Sequence, residues 1–452
     1  MATFTDHTYF KNGFVKKIFL PVDNTPLILF RICFGFLLLC HCIRFITNGK
    51  LYAIFIAPPI TFNYIGFDFL QPLPGNGMYF YFALMCLFAI MIMLGAWYRL
   101  SMAGFSILWT GIYLMQKSNY NNHYYLILLL CFLMCFVPAN TWCSIDVKRK
   151  AVTKSNSCAQ WINYIFIFQM AVVFIYAGFN KITDNWLSGK IIALLFEDHS
   201  NRHLTGRIYS NHYFQLLITW GGLFFDLFIV PLLLWKRTRR PAFFLFCLFN
   251  LFNSFSFYIG IFPYLSIAMA VFFFDAEKMT RLVFKNKNPL ITAETGFIQK
   301  TWIRQCLLFA LGIYIFFQLI LPLRSMLYPG NVFWTGEGYR MSWKMMLWKK
   351  TGTIHFKVMD PATGKIWMID PADRFSASHA GWMAICPDIV WQYAQRIKAE
   401  YKVKGYPDIA VYAIDSVSLN NQPPRLLIDT NTNLANTKWY PFRHSEWILP
   451  NP

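Results

Sequence analysis

Leu27 to Ile46 reads LILFRICFGFLLLCHCIRFI, twenty residues that are nearly all apolar. A helix of about that length crosses the ~30 Å hydrocarbon core of a bilayer. The run is too long for the apolar part of a signal peptide, and the polar, basic stretch Met1 to Thr25 precedes it. Eight further apolar runs follow: Met78–Tyr98, Ser101–Met115, His123–Val137, Trp161–Phe179, Tyr213–Trp235, Ala242–Phe257, Phe262–Phe274 and Trp302–Leu323. Polar or Pro/Gly-bearing connections separate them. Several are shorter than a full crossing, so those helices are expected to be sunk, tilted or extended by polar ends.

Composition agrees. Of 452 residues, 56% are hydrophobic, 19% aromatic and only 14% charged, where a globular chain is about one-quarter charged. A soluble protein this long would still need a charged surface, so much of this surface faces lipid. The net charge of +20 does not point to nucleic acid. The basic residues sit in short clusters between apolar runs, with no zinc-finger, RNP-like or basic-zipper pattern. Eleven cysteines are present, most of them inside apolar runs without a CxxC, and they read as small buried hydrophobes.

Lys11, Lys16 and Lys17 precede the first run and Arg99 follows the second. Lys148, Arg149, Lys150 and Lys154 follow the fourth run, and Lys236, Arg237, Arg239 and Arg240 follow the sixth. Lys278, Arg281, Lys285, Lys287 and Lys300 follow the eighth. With nine spans all these clusters fall on one side. The positive-inside rule then makes the N-terminus cytoplasmic and the C-terminal part non-cytoplasmic. The expected fold is an all-α polytopic membrane bundle of about nine transmembrane helices (1–323), followed by a small α+β extramembrane domain (324–452). In that domain Thr353–Met359 and Lys365–Asp370 read as a hairpin, Pro387 to Lys402 as a helix, and Ile409–Val417 and Arg425–Asp429 as strands.

On this topology polar groups far apart in sequence meet at the non-cytoplasmic face. Tyr176-Ala177-Gly178-Phe179-Asn180-Lys181, followed by Trp186, ends the fifth run. Lys181 is commonly explained as an interfacial lysine that snorkels to water. The functional alternative is a desolvated amine serving as a base. Asn121-Asn122-His123 opens the fourth run, with hydrogen-bonding groups and an imidazole where a bilayer penalises them. Asn250 and Asn253 lie before the Ile259-Gly260-Ile261-Phe262-Pro263 turn. Arg31 and Asp226 are intramembrane charges, placed toward the cytoplasmic ends of their helices and expected to pair structurally with each other. Glu197, Asp198, His199 and His203 match no metal-site spacing and read as a solvated loop; no metal is expected.

The order of these motifs carries a resemblance. Phe30-Arg31, Asn121-Asn122-His123-Tyr124, Tyr176-Ala177-Gly178 to Lys181 and Trp186, Gly221-Gly222-Leu223 with Asp226, and Asn253 with Ile259 to Pro263 follow one another. Gly338-Tyr339, Ser342-Trp343-Lys344-Met345-Met346 and Pro441-Phe442 complete the series. The chain resembles the vitamin K-dependent γ-carboxylases that carry a horizontally transferred transmembrane (HTTM) domain, over nearly its whole length.

That resemblance implies an enzyme in which Lys181 is the base toward a hydroquinone and His123 serves the carboxylation half. Asn122, Asn253, Tyr176, Trp186 and Trp343 are then expected to bind substrate. It also implies reduced vitamin K or a menaquinol-type naphthoquinone as cofactor, with O₂ and CO₂ as co-substrates. The implied partners are the lipid bilayer, quinol drawn from it, and a Glu-containing protein. Compared with animal members, Asn180 stands where a second lysine precedes the base, and Asn250 where the family often has histidine. The bridging cysteine pair is not evident and the C-terminus is shorter. Two other functions stay open: quinol oxidation without glutamate carboxylation, and a non-enzymatic transporter or scaffold. A transporter would show inverted repeats and interrupted helices around a midplane site, and the sequence shows neither feature.

Overall fold

The computed structural model describes residues 17–197, 206–257, 259–288 and 301–450. In chain order the main elements of the first part are β1 (Pro21–Asp23), α1 (Thr25–Thr47), α2 (Gly77–Leu94), α3 (Tyr98–Met115), α4 (Asn122–Phe136) and β2 (Ser157–Ala159). They continue as α5 (Gln160–Asn180), α6 (His212–Leu234), α7 (Arg239–Phe257), α8 (Phe262–Met269) and α9 (Thr301–Ile320). Each of the nine apolar runs therefore forms a helix. The lengths do not support nine full crossings, however. Five helices among the described residues are long and apolar enough to span a membrane: α1, α2, α5, α6, and α9 with its 3₁₀ continuation to Leu327. The 15-residue α4 reaches only about 22 Å. α8 has eight residues before it tightens into a 3₁₀ turn at Ala270–Phe273.

Local chemistry explains the ends of these helices. Asn121 caps α4, its side-chain oxygen accepting from the Tyr124 amide at 2.9 Å, which satisfies one of the open N-terminal donors. α2 stops at Gly95, whose φ of +64° suits the left-handed C-cap that glycine adopts without strain. A β-carbon there would also collide with the Arg31 guanidinium. Arg31 is fully buried and donates to the Cys143 carbonyl at 2.6 Å.

The C-terminal part is a three-stranded antiparallel sheet, ordered β4-β3-β5, from β3 (Lys350–Met359), β4 (Ile366–Ile369) and β5 (Ala410–Leu419). It packs on α10 (Ala377–Ile385) and α11 (Pro387–Val403). The hairpin and the Pro387 helix are where the sequence puts them. Arg425–Asp429 is not a strand: it makes only isolated bridges, Arg425 to Val417 and Ile428 to Ile448. Phe62, from the α1–α2 connection, is buried in this domain's core.

A buried ion triad joins the two parts. Lys117, just ahead of α4, and Arg340 both hold Asp388 at the start of α11, each at 2.8 Å. Burial opposes the Asp388 charge, yet the two cations keep its carboxyl well below the usual range.

Candidate active site

The fifth and sixth helices pack closely. A β-carbon on Gly178 would sit 2.7 Å from the Leu227 side chain, so the end of α5 lies directly on α6. That contact brings Lys181, the residue closing α5, against Asp226, just past the middle of the 23-residue α6. The Lys181 Nζ to Asp226 Oδ2 distance is 2.5 Å, and both side chains are at least nine-tenths buried. Trp186, on the short helix Asp184–Leu187, lays its ring 4.8 Å from the ammonium. Its indole N–H donates to the Thr219 carbonyl of α6 at 3.1 Å, which fixes the ring. A β-carbon on Gly222, itself buried, would stand 3.8 Å from Lys181 Nζ and 3.7 Å from the indole, so the α6 backbone packs close beside both groups.

The pairing expected between Arg31 and Asp226 does not form. Arg31 is bound to Cys143, and Asp226 is the partner of Lys181. Depth is the reason: α5 ends well inside the bundle, level with the middle of α6 rather than with its end.

A third segment closes the site. Met341, Trp343 and Met346 all have left-handed backbones, with φ of +64°, +55° and +57°. Three strained non-glycine residues in so short a run mark a segment held by its surroundings. Asn180 donates to the Ser342 carbonyl at 3.0 Å, and the Lys344 ammonium donates to the Asn180 side-chain oxygen at 2.7 Å. On the other side Asn122 donates to the Lys344 carbonyl at 3.4 Å, and the Met341 amide donates to the Tyr120 hydroxyl at 2.6 Å. The immediate neighbours of Lys181 and of His123 thus bind the same few residues, so the two lie at the same end of the bundle. Burial pushes Lys344 below the usual lysine range.

Trp343 is buried against Tyr125, with ring centroids 5.2 Å apart. Its indole N–H has no hydrogen-bond partner. His123 stacks on Phe262 at 4.7 Å, and its ring makes no hydrogen bond among the described residues. Phe262 in turn lies 6.1 Å from Phe174, two turns before Lys181 on α5.

Two sequence candidates stand apart from this group. Tyr176 donates its hydroxyl to the Leu319 carbonyl of α9 at 2.5 Å. Asn253 is half-buried on α7 and shares no hydrogen bond with the other candidates. Sequence reasoning missed the roles of Asp226 and Lys344 here; the signal for Lys344 was its place in the Ser342-Trp343-Lys344 motif. Of the Glu197 to His203 cluster, Asp198, His199 and His203 lie outside the described residues.

Residues 19–277 match the family model of the HTTM domain, and residues 303–452 match that of the vitamin K-dependent gamma-carboxylase lumenal domain. No solved structure matches the chain. The first match alone takes in more than half of the chain, and the second follows it in the same order as the two structural parts. The chain belongs to the vitamin K-dependent gamma-carboxylase family, as a multi-pass membrane protein that carries the family's lumenal domain at its C-terminal end.

Proposed function

We propose that the protein epoxidises a reduced vitamin K-type naphthoquinone with O₂ and couples this to γ-carboxylation of glutamate in a protein. The observation that carries the reading is the buried Lys181–Asp226 pair under Trp186, tied through Asn180 to the loop that also binds Asn122. We further place the domain division between Leu323 and Arg324 and the active site on the non-cytoplasmic side.

The residues fit a flat, lipid-soluble aromatic diol. The indole N–H of Trp343, without a partner among the described residues, is a donor for a hydroxyl or carbonyl oxygen, and the Trp186 ring beside Lys181 offers an aromatic face. When bound, the quinol supplies the electrons for O₂ and an acidic hydroxyl. Lys181 is not the lone desolvated amine that its flanks suggest, because Asp226 pairs with it. Passing a proton to Asp226 Oδ2 leaves a free lone pair on Lys181 Nζ. That lone pair takes the hydroxyl proton, and the new ammonium balances the negative charge left on the substrate.

His123 serves the carboxylation half. Stacked on Phe262 and unbound by other side chains, its imidazole can meet a substrate group, and exclusion of water protects a carbanion from reprotonation.

Purified protein incubated with reduced naphthoquinone, O₂, labelled bicarbonate and a Glu-containing peptide tests the reading. Epoxide together with labelled peptide is the expected result. Epoxide without label leaves quinol oxidation alone. Neither product, with Lys181→Ala indistinguishable from wild type, returns the protein to a transporter or scaffold.

A further inference from the structure

A second cavity, of about 190 Å³, lies on the His123 side of the bundle. Its walls are the last turns of α1, the first turn of α4 and the Ile259–Ile261 turn ahead of α8. At its inner part stand His41 and His123; at its rim stand Arg44, Asn48 and Lys50.

Three observations give this cavity a sign. No aspartate or glutamate among the described residues lines it. Arg44 and Lys50 are exposed, and neither forms an ion pair among the described residues. His41 is boxed by aromatic rings, 5.6 Å from Trp109 and 5.4 Å from Tyr124, yet its Nε2 is buried with no hydrogen-bond partner. A buried polar atom left unpaired is a standing cost to the fold, which a ligand oxygen would remove. The wall formed by the start of α4 adds the positive end of a helix dipole.

We propose that this cavity binds a planar carboxylate-type anion, either bicarbonate or the side-chain carboxylate of a glutamate peptide, with His41 Nε2–H donating to one oxygen and Arg44 and Lys50 drawing the charge to the mouth. Arginine and an N–H donor match the in-plane lone pairs of a carboxylate. The volume admits a one-carbon anion or the tip of one side chain. Its link to carboxylation rests on the role proposed for His123; the binding itself does not.

The test uses full-length protein in nanodiscs without quinol, and repeats the titration in Lys181→Ala, so that binding is read apart from turnover. The probe is ¹³C-bicarbonate line broadening, with displacement by a neutral-capped glutamate peptide or by inorganic phosphate. Wild type and Lys181→Ala should both show saturable carboxylate binding. Arg44→Gln with Lys50→Gln should weaken it on the order of tenfold. His41→Phe should abolish it, and His41→Asn, which keeps a donor, should retain part. If peptide binds and displaces bicarbonate the glutamate is the occupant; if bicarbonate binds and peptide does not displace it, bicarbonate is.

Absence of saturable binding by both carboxylates overturns the proposal. So does binding indifferent to the Arg44/Lys50 double variant. Phosphate binding more tightly than either carboxylate also overturns it, since the rim would then be recognising lipid headgroups.

Discussion

Three buried lysine–aspartate pairs stand among the described residues, Lys287–Asp23 being one, and the other two, Lys117–Asp388 and Lys181–Asp226, differ in what surrounds them. Lys117–Asp388 is completed by Arg340 and bonded further to backbone, at the seam between the bundle and the C-terminal domain. Lys181–Asp226 has no second cation on the carboxylate among the described residues; a tryptophan ring and the buried Gly222 lie beside the ammonium. The first arrangement leaves its carboxylate saturated and its lysine 1% exposed. The second leaves its carboxylate with a single cation, under the ring of Trp186. A buried pair becomes chemistry when its charge balance is one proton from changing, and it stays a joint when an extra cation locks it.

The largest effect expected on this view is at Lys181. Lys181→Ala should reduce epoxide formation by about 10²–10⁴-fold, the range of a lost general base, while the detergent-solubilised protein keeps its melting temperature within a few degrees. Full activity in that variant would erase the distinction between the pairs. Asp388→Ala comes next, and its cost should appear in stability. Two buried cations left without their carboxylate cost about 3–5 kcal/mol, measurable as early loss of the C-terminal domain in denaturant. Asp226→Asn is the sharpest comparison. It keeps the shape, and should lower the quinol-dependent rate about 10–100-fold while destabilising less than Asp388→Asn. Equal destabilisation by the two, with turnover unchanged, would make both pairs structural.

Much of this was legible beforehand, for reasons that also explain the gaps. All nine apolar runs became helices because a lipid-exposed backbone must satisfy its own hydrogen bonds. The short runs His123–Val137 and Phe262–Phe274 did give short helices, α4 and α8, and five helices among the described residues are long and apolar enough to span a membrane. The resemblance picked out Lys181, His123, Trp186 and Trp343, and the structure gathers their neighbours around one loop. Asp226 was assigned the wrong partner because two intramembrane charges, Arg31 and Asp226, invite pairing when helix depth is unknown. His41 carried no warning at all. A lone histidine in an apolar run reads as packing until three helices are seen to leave its Nε2 bare.

A buried lysine outside these pairs separates burial from pairing with the smallest effect. Lys350, at the start of β3, donates to the carbonyls of Trp334 and Ile385, the latter at 2.9 Å, and touches no carboxylate. Burial brings it down to about 8, against a modest opposing pull from Cys386 and Asp415. A lysine whose folded value lies below its unfolded one, about 10.4, binds fewer protons when folded. Stability therefore rises with pH between about 8 and 10.4, and below that window the buried charge is a standing cost. The C-terminal domain should gain roughly 1–3 kcal/mol across that window, seen as a later urea midpoint at pH 9.5 than at pH 7. Lys350→Met should flatten the curve. If Lys350→Met leaves the slope unchanged, desolvation alone does not govern this lysine, and the reasoning that sets Lys181 and Lys117 apart by their partners loses its unpaired reference.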